Sequence, residues 1–460
     1  MNIRVKLNQK ITVIRPYFAG FLLKMAIKSK YLKFPKNFLW GTATSAHQVE
    51  GNNTNSDWWV WEQQNKGKIL KVKEEKFRHQ RFEPSGRACD HYHLYEKDFD
   101  LIQGMNNNAY RMSIEWARIE PKQGVWDYDE MRHYHNVLLS LKKRNIKVML
   151  TLHHFTNPNW FSAKGGWVNL KAPYYFKKYV KFVVGNLGEL VDFWITINEP
   201  EIYMDMSYLS GYWPPQQKSI KKAGLVYFNM VRAHKKAYKT IHKILDKPNK
   251  KAMVGVAVNV MSFAAYKKHR LIELLYVHSA DKLINHSFYD LTKKSHDFLG
   301  INYYFRIRLR KDKGSLKPVI EEVKEQEREL SDMGWMIYPH GIFDVLMDFK
   351  DFNLPIYITE NGIATTDDKK RVKFIIDHLT EIHHAIQAGV DVRGYFHWSL
   401  LDNFEWDKSF GPKFGLIKVN FKTLEREPKG SYYVYKEICR NNAVTPFYPK
   451  DFGERPNNAA

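Results

Sequence analysis

The chain has 460 residues, 44% apolar and 15% aromatic, enough for a large core and unlike a disordered protein. Lys and Arg number 72 against 49 Asp and Glu, a formal charge of +23 that would attract nucleic acid, anionic lipid or acidic glycans. No zinc-finger, RNP or P-loop spacing accompanies that charge, which argues against specific nucleic-acid binding.

No acidic residue precedes Glu50, whereas Arg4, Lys6, Lys10, Arg15, Lys24 and further lysines do. Within this stretch, residues 16–23 form an apolar run of eight, too short to span a bilayer. A secretion signal fits poorly, because the basic part before the run is long and no small-x-small site is evident. Residues 1–33 therefore read as a basic extension with two open accounts. One is a weak membrane-surface contact; the other, which we favour, is a leader upstream of a start at Met25. Cys89 and Cys439 are too few for a disulfide framework and fit a reducing, cytoplasmic setting.

From Phe34 onward, short apolar segments alternate with longer helical patterns, as expected of βαβ units. Strands are expected at 39–42, 109–113, 147–152, 193–197, 253–259, 298–302, 356–359 and 394–397. Helices are expected at 129–144, 173–187 and 223–245, the second with Tyr175, Tyr179, Phe182 and Val183 at helical spacing. Eight alternations imply one closed (β/α)8 barrel over residues 34–455, followed by a short tail at 456–460. Two charged segments, 66–87 and 306–329, read as long loops: lids, disordered stretches or solvated excursions.

A barrel places its site at the C-terminal ends of its strands. Those ends carry Gln48, Arg111, the pair His153 and His154, Asn198 with Glu199, Asn302 to Tyr304, Glu360 with Asn361, and Trp398. Adjacent histidines on a strand diverge, so zinc is not expected. Two strand ends read Thr196-Ile197-Asn198-Glu199-Pro200 and Ile358-Thr359-Glu360-Asn361-Gly362. Two facing carboxyl groups are what glycoside hydrolysis requires, one to protonate the leaving oxygen and one to attack or to activate water.

At this point the chain resembles glycoside hydrolase family 1, the β-glucosidase and β-galactosidase family, over residues 34–448. The resemblance rests on Phe34-Pro35-Lys36-Asn37-Phe38-Leu39-Trp40-Gly41 with Ser45-Ala46-His47-Gln48-Val49-Glu50-Gly51, and on Tyr110-Arg111-Met112-Ser113-Ile114-Glu115-Trp116. It rests further on the two Glu motifs, on Phe298-Leu299-Gly300-Ile301-Asn302-Tyr303-Tyr304, and on Trp398-Ser399-Leu400-Leu401-Asp402-Asn403-Phe404-Glu405-Trp406. It implies a retaining β-glycosidase, with a β-glucoside as the expected substrate and β-galactosides and β-fucosides beside it. Glu360 matches the nucleophile and Glu199 the acid/base, with Arg111 and Tyr304 holding Glu360 ionised and oriented. Asn198 matches the partner of the sugar 2-hydroxyl. Gln48, His154, Glu405 and Trp406 match groups around the other hydroxyls, and Trp398 matches the platform under the ring. Asn302 and Phe414 complete the expected binding set. The resemblance implies no metal and no cofactor, and it allows transglycosylation as a side activity.

Three departures bear on the aglycone side: Phe155-Thr156-Asn157-Pro158 where many relatives read Trp-Asp-Leu-Pro, the displaced pair around Ser409-Phe410-Gly411, and Lys413 for a familiar Arg. Relatives acting on 6-phosphosugars lack an acid at the position of Glu405, whose charge would repel phosphate. A non-catalytic glycan-binding barrel would have lost one Glu, and both are present.

Overall fold

Along each short apolar segment the side chains alternate between two environments, as a strand's period of two requires. In the computed structural model, which describes residues 31–445 apart from 313 and 321–328, those segments form a closed ring. Its strands are β1 (Leu39–Ala43), β2 (Ala109–Ser113), β3 (Lys147–Thr151), β4 (Phe193–Asn198), β5 (Val254–Ala265), β6 (Leu299–Lys311), β7 (Ile356–Asn361) and β8 (Val392–Trp398). All pair in parallel with the next, and β8 returns to β1 with Gly394 beside Leu39 and Trp398 beside Ala43. All eight expected strands are present. The apolar run at 16–23, Met25 and the tail at 456–460 lie outside the described residues. Leu32 and Lys33, at the end of the basic extension, pair antiparallel with Val444 and Ala443.

Helices cover the ring: α1 (His91–Gly104), α2 (Tyr128–Lys143), α3 (Ala172–Leu187), α4 (Ile220–Leu245), α5 (Leu271–Ala280), α6 (His340–Phe349), α7 (Asp368–Gln387) and α8 (Gly430–Asn441). Asp127 and Asp367 cap α2 and α7 by accepting from two backbone N–H groups each. Helix α4 starts three residues before the expected 223, because Ser219 accepts from the Lys222 N–H. Outward strand residues such as Trp40, Tyr110, Val148, Trp194 and Ile358 pack under the helices. Inward residues Leu39, Ala109, Met149, Phe193, Phe298, Tyr357 and Phe396 fill the lower barrel.

Polar residues continue the inward face above that plug, and two strands reach it only by carrying an extra residue. On β4, Ile195 lies beside Gly255 and Asn198 beside Ala257, three steps against two. On β7, Ile358 lies beside Ile301 and Glu360 beside Asn302, two steps against one. Ile195 faces inward and Ile358 outward, so simple alternation would turn Asn198 and Glu360 away from the barrel. Each one-residue bulge reverses that and aims them inside. Just past Glu360, a Cβ on Gly362 would stand 1.7 Å from the Trp398 carbonyl oxygen, so β7 leaves past β8 only as glycine.

The segment 306–329 corrects the loop expected there. β6 runs on through Arg306 to Lys311, pairs in parallel with β5 as far as Leu309 beside Ala265, and turns back in a hairpin to Ile320. The charges concealed a period-two pattern in which Ile307 and Leu309 share one face and Arg306, Arg308 and Arg310 the other. Beyond Tyr304 this ribbon rises about 23 Å at roughly 3.3 Å per residue. The segment 66–87 is likewise no solvated excursion: it has a short 3-10 turn at Glu75–Phe77 and buries Val72, Phe77 and Phe82.

A buried ion cluster ties α1 to the short antiparallel pair of Ile417–Val419 and Arg426–Pro428. Asp98 accepts from Arg426 Nε at 2.8 Å, Arg426 Nη2 at 3.0 Å and His91 Nδ1 at 2.7 Å. Burial opposes its charge, but the hydrogen bonds from His91 and Arg426 prevail and hold the carboxyl below its ordinary value. Asp98→Ala should therefore cost about 3–5 kcal/mol in urea unfolding at neutral pH, since Arg426 is left buried and unpaired. A depressed carboxyl stabilises above its unfolded pKa of about 3.9 and loses that contribution on acidification, so the gap to wild type should narrow below pH ~4.

Candidate active site

The polar layer opens upward into a cleft of about 1520 Å³ at the C-terminal end of the barrel. Gln48, His154, Asn198, Glu199, Tyr304, Glu360, Trp398, Glu405, Trp406 and Phe414 all line it. Arg111 and Asn302, both buried, stand behind that lining.

Arg111, two residues above Ala109 on the inward face of β2, spreads its guanidinium across three strands. Nη1 donates to Glu360 Oε1 at 2.5 Å and to the Thr359 carbonyl at 2.9 Å, and Nη2 donates to Asn198 Oδ1 at 2.6 Å. The second oxygen of Glu360 accepts from the Tyr304 hydroxyl at 2.5 Å. Burial, and then the negative charges of Glu360 and Glu199, hold that phenol well above its ordinary range, so it remains a donor. Glu360 thus has one cation and one phenol, one on each oxygen.

Glu199 is placed differently. It follows the end of β4 in a left-handed conformation, φ 41°, and Pro200 opens the next helix, Pro200–Met204. Its Oε1 accepts from Asn302 Nδ2 at 2.7 Å and from Asn259 Nδ2 at 3.3 Å, both neutral amides. Burial first, and then the charge of Glu360, push its carboxyl up to about 8. The two glutamates of one cleft thus meet different surroundings, a guanidinium and a phenol for Glu360 and neutral amides for Glu199.

The remaining wall is aromatic and amide-rich. Trp398 and Trp406 each stack on His154, with centroids 6.0 and 6.2 Å away. Burial, and then Arg111, hold His154 well below its ordinary pKa, so it faces the cleft as a neutral imidazole. Gln48 donates to Glu405 Oε2 at 3.2 Å and accepts from Ser45 at 2.6 Å. Glu405 keeps part of its surface open to the cleft, while burial of the rest pushes its carboxyl up to about 8. A fixed negative charge there, the expected barrier to phosphate, is therefore weakened at neutral pH. Lys408 is no compensating phosphate ligand, because its ammonium is taken up by Asp407 at 2.8 Å and Glu74 at 3.4 Å.

A family model described as "Glycosyl hydrolase family 1" matches residues 30–293 and 266–444. The chain belongs to glycosyl hydrolase family 1. It is 33% identical to a "Beta-glucosidase A" of Acetivibrio thermocellus, covering 89% of this chain and 99% of that one. It is 31% identical to a "Beta-galactosidase" of Pyrococcus woesei, covering 90% and 98%. Among solved structures, a "beta-glycosidase from Pyrococcus horikoshii" superposes with TM-score 0.81 at 39% identity, covering 90% and 96%. The chain is a β-glycosidase of this family.

Asn302, expected in the binding set, stands behind the lining, where its amide donates to Glu199 and Asn198 and its oxygen accepts from Thr359 at 2.6 Å. Of the departure Phe155-Thr156-Asn157, Phe155 alone lines the cleft. Thr156 bonds to Glu115 and Asn157 to Asp57 and Tyr203, inside the framework. Lys413 lies off the cleft, donating to the Phe410 carbonyl. Among the described residues, no His, Cys, Asp or Glu cluster could hold a metal. Cys89 and Cys439 are buried free thiols.

The residue that sequence reasoning missed is Asn259. It closed an expected strand, and the rule applied at the other strand ends would have selected it. Its N–H donates at 2.5 Å to Glu201, a buried carboxyl that burial and Glu199 hold well above its ordinary value. Glu201 thus positions the backbone from which Asn259 reaches Glu199. Amide donors favour the ionised form of Glu199, so removing one must raise its titration midpoint. In Asn302→Ala, carbon-13 NMR of the Glu199 carboxyl should show a rise on the order of one unit, with a smaller rise in Asn259→Ala, whose bond is longer.

Proposed function

We propose that the chain is a retaining β-glycosidase of the β-glucosidase type, with Glu360 as nucleophile and Glu199 as general acid/base. The observation that supports this most is the contrast between the two carboxyls: Glu360 held by a guanidinium and a phenol, Glu199 raised to about 8 among neutral amides. In the first step Glu360 attacks the anomeric carbon, and Glu199 gives its proton to the departing oxygen. The aglycone leaves as an alcohol, and the sugar stays as an ester on Glu360. Esterification removes the Glu360 charge that helped raise Glu199, so Glu199 binds its proton less tightly and can take one from water. The attacking hydroxide releases the sugar with its β configuration. A second sugar's hydroxyl in place of water would give transglycosylation.

Gln48, His154, Asn198, Glu405 and Trp406 ring the pocket with groups suited to hydroxyls, and Trp398 offers an aromatic face. The relatives include both glucosidases and galactosidases by name, so we take the β-glucoside as the main substrate with β-galactoside and β-fucoside accepted.

Glu360→Gln should abolish turnover of every aryl β-glycoside. Glu199→Ala should lose about 10²–10⁴-fold on poor leaving groups and much less on activated ones. Azide should rescue Glu199→Ala and yield the β-glycosyl azide; an α-azide would reverse the two roles. In wild type, kcat/KM should fall as pH rises through about 8, where Glu199 loses its proton, and a flat alkaline limb would count against Glu199 as the acid.

A further inference from the structure

Helix α5 carries an uncovered apolar face. Leu271, Leu274 and Leu275 are 69%, 46% and 59% exposed, and their spacing puts them on one side of the helix. Leu283, a little further along, is 70% exposed, and Leu316 on the β6 hairpin is 72% exposed. Scattered leucines on a surface are ordinary, but Leu271, Leu274, Leu275 and Leu316 belong to two elements fastened together. The Tyr276 hydroxyl donates to the Leu316 carbonyl. Buried Glu273 accepts from the backbone N–H of Lys267 at 2.7 Å and of Lys311 at 3.1 Å.

The patch is carried by the same strand extension that walls one side of the cleft. Strands β5 and β6 extend past the rest of the barrel on its C-terminal side, and α5 packs on that extension. From the same extension and the loop after it, Met261, Ile307, Ile320 and Met336 line the cleft, with Arg306 and Arg308 among them. The cleft wall on the side of this extension is therefore mixed apolar and cationic, as the leucine face is. Around the leucines, Lys267, Lys268, Arg270, Lys282 and Lys317 are exposed. Among the described acids nearby, Glu273 is engaged as described, and Asp281 bonds Asn285 at 2.8 Å and His286 at 3.4 Å, while Asp312 stands on the hairpin turn beside Lys317.

We propose that this face seats on an anionic phospholipid surface, and that the cleft walled by the same extension takes glycolipids whose sugar enters while the acyl chains stay in the bilayer. The glycolipid half rests on the β-glycosidase reading above. A leucine face with a lysine and arginine rim matches the layered chemistry of such a surface, acyl chains beneath phosphate. It suits a second copy of this chain poorly, since cationic rims on chains of charge +23 would repel. Nucleic acid would use the cations but leave the leucines uncovered.

Full-length protein should sediment with vesicles of phosphatidylcholine mixed with phosphatidylglycerol, not with phosphatidylcholine alone, and salt should release it. The double variant Leu271→Asp, Leu275→Asp should bind at least about tenfold more weakly. It should keep wild-type turnover of a soluble aryl β-glucoside and lose turnover of a long-chain β-glucolipid in the anionic vesicles. Lys267→Glu with Lys268→Glu should weaken binding and flatten its salt dependence. No wild-type binding, or unchanged binding in the leucine variant, would overturn the docking. So would a wild-type dimer that the leucine variant dissociates, which would make a second copy the occupant. Absence of soluble turnover in wild type would instead overturn the β-glycosidase reading and the glycolipid half with it, while the vesicle assay alone decides the docking.

Discussion

The Arg111 guanidinium is the point on which the site depends. It is almost fully buried, and a buried cation is tolerated only when its donors are met. Here they are met by Glu360 and Thr359 on β7 and by Asn198 on β4, with Arg111 itself on β2. One side chain thus fixes three strand ends relative to each other. The charge of Glu360 is the counterpart of that cation, so moving either group would leave the other buried and unpaired. The two bulges belong to the same constraint. Without the extra residue on β4 and on β7, Asn198 and Glu360 would face the helices and Arg111 would have no partners inside the barrel.

Much of this fold is legible in the sequence, for a physical reason. Parallel strands covered on both faces must be apolar, so short runs such as Val148 to Leu150 and Ile356 to Ile358 stand out between helical stretches. The polar residues that end those runs are conspicuous because nothing but a site would gather them there. The bulges are not legible, because an inserted residue changes the side-chain face without changing the composition. The roles of Asn302 and Asn259 are hidden likewise: an amide at a strand end reads the same whether it meets a ligand or another side chain. Only the geometry shows that Asn302 spends all its polar atoms on neighbours.

The long β5–β6 ribbon was obscured by charge. Arg306, Arg308 and Arg310 suggest a solvated loop when counted, but they alternate with Ile307 and Leu309 as a strand with one wet face would. Edge hairpins can carry such charge because only one face is covered. Arg306 illustrates how: its guanidinium lies 4.0 Å from the Tyr338 ring centroid, so the cation itself packs on an aromatic face. The same ribbon carries α5 outward, and it places exposed leucines near a site whose own walls are aromatic and amide.

The strong positive charge and the acid-rich site raise a question of which effect governs the carboxyls. A formal charge of +23 would favour ionised glutamates, yet Glu199 and Glu405 are both pushed up to about 8 and Glu201 is raised as well. Burial is the largest cause in each case, and it acts at the atom. Surface lysines act through solvent, where the screening length is about 8 Å at physiological salt. Distance and screening leave their pull small beside local desolvation and the repulsion of a neighbouring carboxylate. The outer charge therefore bears on what approaches the molecule. Proton affinity inside the cleft follows from depth, from Arg111, and from how many amide hydrogens each carboxyl can collect.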